Sequence, residues 1–268
     1  MIKARAKEMS RISREGRPSA TVDLPPIGLA EAAPGTERAM NAGCFYLIRL
    51  EHDDIAGDVS VVTDRFVEVS RRETWPLISL VRDPGPAMAN RIRNHEVCFL
   101  DIETTGLSPS TYVFLCGLMF LEKDRFVVEQ LLARDYSEET SMLSYLGSVL
   151  ERYPMIITYN GTGFDVPFLR TRMAIARMEA VRPIEHVDLI EAARERFSNV
   201  LPNCKLETIE RHLRGEAREG DIPGRDIPEA YHEFVRTGNA RDMQRILYHN
   251  RMDLLAMAYM INDFADRM

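Results

Sequence analysis

Asp101 and Glu103 stand two residues apart at the end of the apolar run Val97-Cys98-Phe99-Leu100. In an extended strand alternate side chains share a face, so the two carboxylates project together while Leu100 and Ile102 bury on the opposite side. Like charges held that close repel, and burial raises the penalty unless a cation neutralises them. Hard oxygen ligands of this kind suit Mg²⁺ or Mn²⁺. Taken alone, Asp-x-Glu before Thr104, Thr105 and Gly106 reads more readily as a polar turn.

Two distant segments carry further acids. Asn160-Gly161-Thr162-Gly163-Phe164-Asp165 follows a β-rich run at 155–159, with Pro167 placed to open a helix. In isolation Asp165 reads as the N-cap of that helix. Tyr248-His249-Asn250-Arg251-Met252-Asp253 lies in a helical stretch near the C-terminus. Residues four apart share a helix face, so His249 and Asp253 point the same way if the helix is unbroken. Asn250 and Asp253 also have the spacing of a capping box, a reading that leaves His249 unexplained.

Taken together, the segment from Phe99 through Asp101, Glu103 and Gly106, the segment Tyr159-Asn160-Gly161 through Phe164-Asp165, and His249 to Asp253 resemble the three exonuclease motifs of the DEDD superfamily. His186-Val187-Asp188-Leu189, Lys205-Leu206-Glu207-Thr208-Ile209-Glu210, Asp221-Ile222-Pro223-Gly224 and His249-Asn250 narrow the resemblance to the YprB-like branch of ribonuclease H-like proteins. It covers residues 96 to 262. It implies a metal-dependent 3′→5′ exonuclease that uses two divalent cations, Mg²⁺ or Mn²⁺, on single-stranded DNA or RNA ends. Carried over residue by residue, the metal ligands are Asp101, Glu103, Asp165 and Asp253.

The resemblance has one departure. Better-known members of the superfamily place a histidine five residues, or a tyrosine four residues, before the last aspartate, whereas this chain has Tyr248 at five and His249 at four. We read His249 as the general base, because imidazole titrates near neutral pH and a five-residue step on a helix turns away by about 140°. A helix break at Asn250 would favour Tyr248 instead. Phe164, Asn160, Arg170 and Arg172 are candidate walls for a nucleic-acid strand, each with a structural reading beside it. Two alternatives stand: a catalytically inactive nucleic-acid-binding module on the same fold, and an endonuclease or oligonucleotide hydrolase.

These residues need a frame to position them. Apolar runs at 97–100, 112–121 and 126–132, with the short polar link 122–125, predict three neighbouring strands, mostly antiparallel. Helical spacing follows at 137–152, a strand at 155–159, a helix at 166–178, a short strand at 186–189 and a helix at 239–264. That order predicts an α/β fold, a ribonuclease H-like mixed sheet flanked by helices, over 96–268. Residues 1–40 read as a basic, mobile arm. Residues 41–95 read as a small α/β extension with strands at 44–50 and 59–62 around a turn at Gly57, then a helix at 75–81.

With 41 acidic and 34 basic side chains among 268 residues, the net charge of −7 gives no general attraction to polyanions. Affinity for nucleic acid must come from local patches. Cys44, Cys98, Cys116 and Cys204 stand far apart without a Cys-x-x-Cys pair, which argues against a zinc site or a disulfide framework. The charged N-terminus lacks a signal-peptide pattern, and no apolar run approaches the roughly 18 residues needed to cross a bilayer, so the expected location is cytoplasmic, without membrane contact.

Overall fold

The computed structural model describes residues 25–56, 58–71, 96–178 and 185–266. The turn expected at Gly57, the helix expected at 75–81 and the first part of the basic arm lie outside them. Seven strands form one sheet: β1 (Thr36–Met40), β2 (Gly43–Leu50), β3 (Val97–Thr104), β4 (Val113–Glu122), β5 (Arg125–Leu132), β6 (Met155–Thr158) and β7 (Glu185–Asp188). Their order is β1-β2-β5-β4-β3-β6-β7. The β3-β4-β5 meander is antiparallel, as the apolar runs predict, and β6 and β7 add in parallel beside β3. Lys123 and Asp124 both take positive φ, the geometry that a two-residue hairpin requires.

Among the described residues nine α-helices accompany these strands: α1 (Leu29–Ala32), α2 (His52–Ile55), α3 (Val59–Ser70), α4 (Glu139–Leu150), α5 (Asp165–Ile175), α6 (Ile190–Phe197), α7 (Leu206–Arg214), α8 (Ile227–Thr237) and α9 (Arg241–Ala265). Alternation along β3 sorts the core. Val97 and Phe99 pack with α3, α6, α7 and α9 on one face, while Cys98, Leu100 and Ile102 pack with α4 and α5 on the other. Asp101 and Glu103 continue the first series, so they point toward α9. No helix of the described residues is long and apolar enough to cross a membrane.

Two expectations in the N-terminal region need correction. Residues 59–62 are the start of α3, not a strand, because Val59, Val62, Thr63, Phe66, Val67 and Val69 recur at helical spacing and bury against the core. That tertiary burial overrides the β preference of the valines. Within the supposed arm, Thr36–Met40 pairs antiparallel with β2, which in turn pairs with β5, so this stretch joins the main sheet.

One row of residues across the sheet sets where α9 can lie. Asp101, Gly117 and Gln130 are successive partners on β3, β4 and β5. Gly117 leaves a gap in the row, and the fully buried Asn250 of α9 fills it. Asn250 donates to Asp101 Oδ2 at 2.8 Å and accepts from Gln130 Nε2 at 2.9 Å. A Cβ on residue 117 would lie 2.2 Å from Asn250 Oδ1. Gly117→Ala should therefore destabilise the fold by about 1–3 kcal/mol through overpacking. Urea unfolding checks this: a midpoint equal to that of the wild type would mean that α9 docks without this gap.

Candidate functional site

The site forms where β3 outruns β6. β6 pairs with β3 only through Phe99, so on that side Asp101 and the residues after it have no strand neighbour. The backbone N–H of Ile102 is instead taken by Asp165 Oδ1 at 3.2 Å. Asp165, 6% exposed, stands at the first residue of α5 and does not cap it through its side chain. Its loop is held by Asp188, which accepts from the backbone N–H groups of Asn160, Thr162 and Ile190. Gly161 lets that loop close on β6, since a Cβ there would lie 2.2 Å from Thr158 Oγ1.

α9 runs unbroken through Asn250, so no capping box starts there and His249 and Asp253 share a face. His249 Nε2 lies 3.6 Å from Asp253 Oδ2. Its other ring nitrogen, Nδ1, meets both oxygens of Asp221 at 2.9 and 3.1 Å. Tyr248 turns elsewhere: it packs against the core beneath α9, with the Arg251 guanidinium 5.5 Å from its ring centroid. Asp253 Oδ1 accepts from Arg218 Nη2 at 2.5 Å.

Asp101, Glu103, Asp165 and Asp253 lie near enough for their charges to act on one another. Burial pushes Asp101 well above the usual carboxylate range, reinforced by Asp253, Glu103 and Asp165 and opposed by the Asn250 hydrogen bond. Burial raises Glu103 to about 8, with His249 opposing and Asp253, Asp165 and Asp221 adding to it. Asp165 is raised to about 7, again chiefly by burial, although two backbone N–H groups offset part of the rise. Burial works against a charged His249, but the Asp221 hydrogen bond and the charges of Asp253, Glu103 and Asp221 hold it at about 9.

Crowded carboxylates that resist ionisation are what a divalent cation would relieve, and their donor set is all hard oxygen. Among the described residues, however, no three acidic, histidine or cysteine side chains already stand as a ready ligand group. Asp101 leans on Asn250 and Asp253 on Arg218.

Several contributors were missed in reading the sequence. Asp188, Glu210 and Asp221 lie in segments that carried the resemblance but received no role, and Arg218 lies in none of them. The isolated Gly117 inside an apolar strand was a usable signal for close approach. Arg172, a candidate wall residue, points inward and is bound by Glu139 through Nε and Nη2, so it is structural. Arg170 and Asn160 are exposed, and Phe164 packs 5.3 Å from Phe168 between ring centroids.

The chain belongs to the RNase H superfamily, whose model matches residues 98–265. It is 30% identical over 174 residues to the uncharacterized protein YprB of Bacillus subtilis, covering 63% of this chain and 42% of YprB. The chain therefore spans less than half the length of that relative. It is 27% identical over 164 residues to the protein MJ0365 of Methanocaldococcus jannaschii, covering 58% of this chain and 87% of that protein. A 135-residue match at 29% identity joins 43% of this chain to 14% of DNA polymerase 1 of Aeropyrum pernix.

The titration pattern has a defined sign. Asp101, Glu103 and Asp165 have folded pKa values above their unfolded ones, so the folded state binds more protons. Their stabilising contribution is complete below the ordinary carboxylate range and is lost as pH rises through about 7 and 8. His249 acts in the same direction, its contribution falling as pH rises through about 9. Asp221, held low, works oppositely only in acid. Metal-free protein should therefore melt at a lower temperature at about pH 9 than at about pH 5.5, with Mn²⁺ raising the melting temperature mainly at the higher pH. Differential scanning calorimetry with and without Mn²⁺ measures both, and a melting temperature that climbs with pH in the metal-free protein contradicts the site's electrostatics.

Proposed function

We propose that this protein is a 3′→5′ exonuclease that hydrolyses phosphodiester bonds at single-stranded ends of DNA or RNA with two divalent cations, Mg²⁺ or Mn²⁺. The observation that carries the reading is the crowding of Asp101, Glu103 and Asp165, each raised chiefly by burial and each acted on by the charge of Asp253 from α9. Membership of the RNase H superfamily supports it. So does the similarity to part of a DNA polymerase, as a pointer to nucleic acid as substrate.

Asp101, Glu103, Asp165 and Asp253 are the residues that would hold the cations. Two bound divalent ions supply an activated water and neutralise charge on the scissile phosphate and the departing 3′ oxygen. The chain's own part is positional. Asp101 and Asp165 approach from β3 and α5, and Asp253 faces them from α9. Glu103 is the last β3 residue before the β3–β4 register shifts, between it and Thr104. It serves to orient the attacking water.

His249 is the general base in this reading. Asp221 occupies Nδ1, which fixes the ring and leaves Nε2 facing Asp253 and the site. The imidazole loses part of the support for its positive charge when Asp253 and Glu103 are neutralised, and Nε2 is then able to accept a proton. Leu107 stands 89% exposed on the loop before β4 and offers an apolar surface to a terminal base.

An assay on a 5′-labelled single strand with Mg²⁺ or Mn²⁺ tests the proposal. A descending ladder is expected from the wild type, whereas discrete fragments would indicate an endonuclease and no cleavage a binding module. Asp101→Asn and Asp165→Asn should each abolish cleavage while the protein remains folded. His249→Ala should lower kcat by about 10² to 10⁴, the usual loss for a missing general base, and Tyr248→Phe should change it little. Full activity of Asp101→Asn, or equal small losses in the last two variants, would refute the corresponding assignments.

A further inference from the structure

Arg218 lies between α7 and α8 in a segment without helix or strand, yet its side chain is only 2% exposed. Each of its three guanidinium nitrogens meets a different carboxylate. Nε binds Glu210 Oε2 at 2.5 Å, Nη1 binds Asp221 Oδ2 at 3.2 Å, and Nη2 binds Asp253 Oδ1 at 2.5 Å. These partners come from three places in the chain. Glu210 is a buried residue of α7, also bound by Arg214 Nη1 at 2.8 Å; Asp221 belongs to the loop before α8; Asp253 belongs to α9.

The loop is tied down a second time from α9. Arg245 donates to the backbone carbonyls of Gly220 and Asp221 at 3.2 and 2.9 Å. Asp221 can therefore present its carboxylate to His249 Nδ1 while its remaining contacts go to Arg218 and to the backbone N–H of Ile222. On the other side, Arg218 holds only Oδ1 of Asp253, and Oδ2 stays directed toward His249.

We propose that Arg218 is a positioning residue whose planar three-way fork sets Asp253 as a cation ligand and, through Asp221, the ring of His249, so that one buried guanidinium aligns a ligand and the base. The roles of Asp253 and His249 rest on the nuclease reading above; the geometry does not. A simple counter-charge would not need this shape. Lysine carries the same charge as a point on a flexible stem and cannot hold three carboxylates along fixed directions. Partners behind a first set of metal ligands typically change metal affinity about 10- to 100-fold when removed.

The test compares wild type with Arg218→Lys, Arg218→Met and Glu210→Gln, each checked for folding by circular dichroism. Three readouts are taken: Mn²⁺ affinity by calorimetry, the downfield ring-proton resonance of His249 hydrogen-bonded to Asp221, and kcat and KM on a 5′-labelled strand. Arg218→Lys should bind Mn²⁺ about 10- to 100-fold more weakly, lose the ring-proton resonance, and lower kcat with KM for the strand nearly unchanged. Glu210→Gln keeps the guanidinium but loosens its anchor, so the same readouts should shift less. A folded Arg218→Lys protein with wild-type Mn²⁺ affinity and an intact resonance overturns the proposal. If neither Arg218 variant folds, wild-type values of both readouts in Glu210→Gln overturn it instead. Should wild type cleave no strand, the nuclease reading falls, and the Mn²⁺ and ring-proton readouts still decide the role of Arg218.

Discussion

The seating of Asn250 over Gly117 governs the rest of the structure, because it fixes the register of α9 against β3 and so the distance between their acids. An amide suits that position for an electrostatic reason. It donates to Asp101 and accepts from Gln130 without altering the charge of the site. A lysine there would neutralise Asp101 permanently, and an aspartate would add a fifth negative charge to a crowded pocket. The amide satisfies the buried polar groups on both sides, which an apolar residue would leave unpaired.

Around that fixed point the protein treats its acids unequally. Asp253, Asp221 and Glu210 share one buried guanidinium, whereas among the described residues Asp101, Glu103 and Asp165 have no ion pair with a lysine or arginine. The difference is visible in the titration of Asp101, Glu103 and Asp165, all raised chiefly by burial, while Asp221 stays low because His249 and Arg218 outweigh its own desolvation. Burial without compensation is costly for a folded chain and would be selected against unless something outside the chain offsets it. A pair of divalent cations is one such agent.

Legibility in the sequence followed the range of the interactions involved. The β3-β4-β5 meander was readable because each strand is a local apolar run and the link at Lys123-Asp124 is a local turn. Asp101 and Glu103 were readable because a strand's period of two is a local property, and Asp165 and Asp253 because the motifs that flank them are contiguous. Residues 59–62 were misread as strand because their valines favour strands locally, while the helical state of Val59–Ser70 comes from burying one face against α9 and the sheet. Gly117, Gln130 and Asn250 meet only through cross-strand register and helix docking, so their contact is not written in any contiguous segment, although the isolated Gly117 hints at a close approach. Arg218 and Asp221 sit in an irregular segment with no period to read, and Arg172 looked like a strand-facing cation until Glu139 drew it inward.

The hydrogen bonds also restrict how these acids can turn. Each of the three aspartates has one oxygen committed to a donor from the chain: Asp101 Oδ2 to Asn250, Asp165 Oδ1 to the N–H of Ile102, and Asp253 Oδ1 to Arg218. Of the opposite oxygens, Oδ2 of Asp253 faces His249 Nε2 at 3.6 Å. A carboxylate free at both oxygens would lose rotational entropy on binding an ion, whereas one already held by a neutral or cationic donor has lost much of it on folding. The donor from Ile102 exists only because β6 stops short of Asp101, so the unequal strand lengths both open the site and orient one of its acids. Such tethers limit the ways in which the negative charge of these acids can be arranged.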